Sequence, residues 1–245
     1  MSADWRALLP AEHGVWAWVG LPLVVSLVAA PGATTGLGTL ATLAGLGACQ
    51  AAGRVARRRA ALVPALVAGA VAAACGLGAW HLSPSPLAVV VTLGVGGVLG
   101  LAVSLATGAR PPRVVALELA AIATFGATGA GLVLGSGAPV GATATRFVAL
   151  FAWLVLGLWF VKGRLAGVLK RREPWRGGIV VAGAATALSV TLGAVVGPIV
   201  AGWVPLAYPL RVLAHRPAAS PRDVKRVGLE ELAAGIATCL VIGLA

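Results

Sequence analysis

Few side chains in this 245-residue chain can do acid–base or ionic chemistry, and most of them fall at the edges of apolar stretches. His13 lies in Pro10-Ala11-Glu12-His13-Gly14-Val15-Trp16, where an imidazole able to carry a proton near neutral pH stands beside an interfacial tryptophan. Glu118 lies five residues after Arg113, about 7.5 Å along a helix and therefore inside an apolar stretch. An ionisable group at that depth is expensive and faces a bundle interior. It reads either as an acid/base or ion-coordinating carboxylate, or as one half of a structural ion pair. Glu230 follows the basic run Lys225-Arg226 and reads as a third acid, or as a favourable charge near a helix start. The candidate catalytic set is therefore His13, Glu118 and Glu230. Gln50, Arg54, Lys162, Arg164 and Arg211 end neighbouring apolar stretches and form the candidate ligand-binding set, suited to an anionic headgroup. For the basic stretch Lys162–Arg176, a membrane-surface anchor is the competing reading.

Metal chemistry is not expected. Cys49, Cys75 and Cys239 all sit in apolar surroundings and form no CxxC or Cys/His cluster. The only aspartates are Asp4 and Asp223, so no carboxylate cluster exists to hold magnesium. There is no Walker loop, no G-x-S-x-G and no H-E-x-x-H. The residues imply no particular cofactor.

The elements that must position these side chains are membrane helices. The chain is 59% hydrophobic and 11% charged, with a mean hydropathy of +0.97. A soluble domain carries about 25% charge, so an ordinary cytosolic enzyme is excluded. A span needs about 20 apolar residues. The pattern predicts an all-α, polytopic transmembrane bundle of nine spans: Gly14–Ala30, Thr35–Ala52, Ala61–Trp80, Leu87–Thr107, Val114–Gly135, Phe147–Val161, Ile179–Gly197, Pro198–Val212 and Leu229–Leu244. The count falls to eight if Ile179–Val212 is one span and a re-entrant segment broken at Gly197-Pro198. The first span has no cleavage signature of a signal peptide. No soluble segment is left over, which predicts a single integral membrane domain over 1–245.

With nine spans, eighteen of the nineteen Lys and Arg share one side of the membrane, and only Arg146 falls on the other. Basic residues concentrate in cytoplasmic loops. The N-terminus is expected inside, the C-terminus outside, and the protein in the cell (inner) membrane. The net charge of +12 then reflects topology and anionic lipid rather than nucleic acid, which is not an expected partner. The glycine pairs Gly96-x3-Gly100, Gly131-x3-Gly135 and Gly193-x3-Gly197 are expected to serve tight packing within the bundle.

The segment from Pro10 to Trp16 resembles the N-terminal signature of the YwiC-like membrane protein family, with His13, Gly14 and Trp16 matching and Ala11 replacing a basic residue. Phe147–Arg164, ending in Val161-Lys162-Gly163-Arg164, and Lys225–Glu230 are similar to further family stretches. The resemblance implies a polytopic membrane protein and no particular activity. In topology the chain also resembles the UbiA-like prenyltransferases, whose aspartate motifs lie where this chain has Arg54–Arg59 and Lys162–Arg176. Those aspartates are absent, and fold does not carry function. Three functions follow as expectations. The first is a lipid-binding protein or intramembrane transferase-like enzyme with a cytoplasm-facing polar cavity, taking an anionic headgroup or isoprenoid ligand among membrane lipids. The others are a small transporter coupled through Glu118 to protons or ions, and an assembly factor without a ligand.

Overall fold

The computed structural model describes residues 13–55, 58–107, 115–165 and 221–244. These residues are helical almost throughout: α1 (His13–Ala29), α2 (Ala33–Val55), α3 (Leu62–Leu82), α4 (Pro86–Thr107), α5 (Val115–Gly135), α6 (Val140–Leu165) and α7 (Pro221–Leu244), with a 3-10 turn at Arg59–Ala61 before α3. Five helical stretches are long and apolar enough to cross a membrane: Arg59–Leu82, Pro86–Leu105, Glu118–Gly135, Val140–Lys162 and Asp223–Leu244. The expected all-helical membrane fold is therefore present. The first five predicted spans agree with α1–α5 to within three residues at each end. The two spans expected within Ile179–Val212, and the glycine pair Gly193/Gly197, lie outside the described residues.

Two helices run further than their apolar stretches suggest. α6 begins at Val140 rather than Phe147, so Arg146, expected in a connection, stands within the helix. α7 begins at Pro221 rather than Leu229. Proline is tolerated at a first helical position, where its missing N–H leaves no partner unsatisfied. The polar turns Pro221–Gly228 are held by Arg226, which pairs with Asp223 at 3.3 Å and Glu230 at 3.7 Å.

The chain divides into two compact units, Met1–Thr143 and Ala144–Ala245. In the first, short connections make α1–α5 alternate in direction. α2 is packed by α1, α3, α4 and α5. It is also the polar, small-residue member of the set, carrying Thr34, Thr35, Thr39, Thr42 and five glycines before Arg54. α3 and α4 have the opposite composition on their outer faces: Leu66, Leu77, Leu87, Val98 and Leu105 are among their exposed side chains. The buried stripe of α4 passes through Val89, Thr92, Leu93, Gly96, Gly100 and Ser104. Small and hydroxyl-bearing residues inside with leucine and valine outside is the arrangement a bilayer favours, because lipid solvates apolar groups and close backbones bring dispersion contact.

Glycines set those approaches. A Cβ at Gly131 of α5 would overlap Thr92 of α4, and one at Gly135 would meet Val89 at 2.5 Å. On α4, Gly96 faces Thr128 and Gly100 faces the Cys49 sulfur of α2. Both described glycine pairs thus pack helices within the unit, as expected.

At one end of this unit, hydroxyls stitch the helices together. Thr34 donates to the Leu82 carbonyl at 3.2 Å, and Ser83 donates to the Gly135 carbonyl. α5 closes there in a Schellman arrangement: the Ala138 N–H reaches the Val133 carbonyl, and the Gly137 N–H reaches Leu134. Gly137 has φ +86° and sits 3.2 Å, measured from an added Cβ, from Pro84. Gly137→Ala is expected to cost about 1–2 kcal/mol, read as a lowered melting temperature in detergent.

In the second unit, α6 buries Phe147, Leu150, Trp153, Leu154, Leu156 and Phe160, and α7 buries Val227, Thr238, Cys239 and Ile242.

Candidate functional site

Glu118 stands in the first turn of α5 and is buried, with 9% of its surface exposed. Its neighbours follow from helix register. Ser26 of α1 donates to the Gly129 carbonyl of α5 at 3.1 Å. Glu118 lies on the same face of α5 as Gly129, about three turns away. The same descent along α1, which runs in the same direction, leads from Ser26 to Val15, beside His13. On the antiparallel α2, Gly38 meets Leu132 of α5. Counting from that contact brings Glu118 level with Ala52, between Gln50 and Arg54. Counting from Gly96 and Thr128 brings Glu118 level with Ala106 on α4.

The backbone therefore places Glu118, Gln50, Arg54 and the helix start at His13 at one level along the helix axes, at one end of the first unit. Gln50 and Arg54 are half-buried. Arg54 and Glu118 both take part in polar interactions. The Arg58 N–H donates to the Arg54 carbonyl at 2.8 Å, turning the chain so that Arg58 and Arg59 stand exposed at the same end. Stacked on this polar layer is an apolar one: Val19 and Leu23 of α1 and Leu132 of α5 form a cluster, with Leu46, Leu93 and Phe125 packed against it. This end of the unit thus carries exposed Arg58 and Arg59, a buried Glu118 and, further along the helices, an apolar cluster. Among the described residues no three His, Cys, Asp or Glu side chains group in a way that would hold a metal ion.

The other sequence-predicted residues lie in the second unit or outside the described residues. Lys162 is half-buried about one turn before the end of α6, and Arg164 is the last residue but one of that helix, both in the second unit. Glu230 is also in the second unit, where Arg226 of its own helix pairs with it. Arg211 lies outside the described residues.

The family of YwiC-like proteins matches residues 9–134, just over half of the chain. The chain belongs to the YwiC-like family. The matched range takes in the Pro10–Trp16 signature, Gln50, Arg54 and Glu118, so it spans every residue gathered at the polar end of the first unit. Phe147–Arg164 and Lys225–Glu230 lie beyond it. No curated protein matches the chain, and no solved structure does. With its apolar helices, the chain is a multi-pass membrane protein of this family.

Sequence reading missed one polar residue in the same unit, Thr39. A threonine within a small-residue helix carries no sequence signal of a role, because most helical hydroxyls bond their own backbone.

Proposed function

We propose that this membrane protein binds an amphiphile with an anionic, phosphate-bearing headgroup at the cytoplasmic end of its first helical unit. Arg54, Arg58 and Arg59 supply the positive charge, Gln50 supplies amide hydrogen bonds, and the N-terminus of α1 at His13 adds backbone donors. Glu118 orients the cationic groups and keeps the layer electrically balanced. The observation that carries the reading is the buried Glu118 carboxylate at the level of Arg54 and the start of α1. The apolar layer beyond it favours binding over transport, since a coupled transporter would need a polar route through Val19, Leu23, Leu46 and Phe125.

The test has two arms. Lipids that co-purify from native membranes are identified by mass spectrometry, which also reads whether the tail is acyl or isoprenoid. Melting temperature is then compared in phosphatidylglycerol and phosphatidylcholine nanodiscs, and with inorganic phosphate alone. Retained phosphate-bearing lipid and a higher melting temperature in phosphatidylglycerol are expected. Neither retention nor a difference between the two lipids would leave the assembly-factor reading in its place.

The charge distribution supports an orientation with the N-terminus inside the cell membrane and the C-terminus outside. In a chain freed of its native cysteines, a cysteine at Pro84 is expected to react with an impermeant reagent in intact cells. One at Arg58 is expected to react only after lysis, and the reverse pattern would invert the topology.

A further inference from the structure

We propose that Thr39 and Ser26 together hold a buried water molecule at the seam of α1, α2 and α5, in the half of the first unit remote from Glu118. Thr39 is 8% exposed, and its hydroxyl is the buried side-chain group that has no hydrogen-bond partner among the described residues. Its behaviour differs from that of neighbouring hydroxyls. Thr42, Thr124, Thr128 and Ser136 each donate to the carbonyl four residues earlier, at 2.8–2.9 Å. The Thr39 hydroxyl is buried and makes no such bond. In a low-dielectric interior an unmet hydroxyl costs about as much as a lost hydrogen bond, and buried waters are the common remedy.

Register brings Thr39 and Ser26 to neighbouring levels. Leu46 of α2 packs on Val19, Leu23 and Leu132. Two turns further from Glu118, the same stripes of α2 and α1 carry Thr39 and Ser26 respectively. Ser26 is fully buried and sits between two acceptors, the Pro22 carbonyl at 2.7 Å and the Gly129 carbonyl at 3.1 Å. It has one proton for both, and its oxygen keeps lone pairs to accept from a water. A water there donates to Ser26, accepts from Thr39 and ties α2 to the α1–α5 junction.

The sign of one substitution decides the matter. Thr39→Val keeps the shape and removes the hydroxyl. An orphaned hydroxyl makes valine stabilising, a hydrated one makes it destabilising. Thr39→Val is expected to lower the melting temperature by about 2–4 °C in delipidated detergent solution. Ser26→Ala is expected to lower it similarly, and the double variant by no more than the larger single effect, because both changes empty one site. Thr39→Ser, which keeps the hydroxyl, is expected to lose less than Thr39→Val. A Thr39→Val protein melting at or above wild type, or strictly additive losses, would overturn the proposal. A loss seen only in lipid-replete protein would overturn it in favour of a lipid polar group at the same place.

Discussion

Gly131→Leu is expected to destabilise the first helical unit by about 3 kcal/mol, the largest effect of any single substitution considered. Even one added carbon at Gly131 overlaps the Thr92 side chain. On another side α4 meets α2, where a Cβ added at Gly100 would lie 3.6 Å from the Cys49 sulfur. A leucine at Gly131 must therefore displace α4 from α5 and open the seam between them. Gly94 of α4 provides the control. It is exposed, and nothing lies within 4 Å of a Cβ built there. Gly94→Leu is expected to change stability by no more than about 0.5 kcal/mol. Unfolding by denaturant in a fixed detergent, with helicity as the readout, separates the two. Equal effects would mean that the α4–α5 approach is not what glycine is needed for.

Glu118→Gln is expected to weaken binding of phosphatidylglycerol by about ten-fold while leaving the protein folded. Glutamine keeps the length and hydrogen-bonding reach of the side chain but removes its charge. A charge-assisted hydrogen bond contributes about 1.5–3 kcal/mol, and ten-fold corresponds to about 1.4 kcal/mol. Glu118→Leu should do more, since it removes the hydrogen-bonding groups as well as the charge. If Glu118 only stabilised the fold, both variants would lower the melting temperature and leave lipid preference untouched. If its negative charge repelled the headgroup, Glu118→Gln would bind more tightly. The binding ratio between anionic and neutral lipid distinguishes these outcomes from the expected one.

The helices were legible because the signal is strong and local. Long apolar runs punctuated by Gly, Pro and Arg define α1–α5 closely. The ends of α6 and α7 were not legible. There the helix continues through Thr143, Arg146, Asp223 and Arg226, and hydropathy measures the membrane rather than the helix. The site was half legible. Glu118, Arg54 and His13 stand out because charge is scarce, but their common level depends on which helices touch. Ser26 meeting Gly129 and Gly38 meeting Leu132 are contacts between residues that look interchangeable with dozens of others in the sequence. Glu230 shows the converse. Its charge is equally conspicuous, and its own helix supplies an ion-pair partner in Arg226 one turn earlier. Thr39 had no sequence signal, because what distinguishes it is a missing partner.

The central claim is that Arg54 and Glu118 belong to one headgroup site at the end of α1, α2 and α5. Lipid titration into purified protein, followed by native mass spectrometry, tests it most directly when Arg54→Gln is compared with Arg59→Gln. Both variants remove one positive charge from the same end of the unit, but Arg54 is half-buried at the level of Glu118 and Arg59 is exposed. A built site predicts a loss of phosphatidylglycerol affinity of about ten-fold or more for Arg54→Gln and less than about two-fold for Arg59→Gln, with phosphatidylcholine unaffected in both. Equal losses from the two variants would mean that anionic lipid responds only to surface charge, and would contradict the claim.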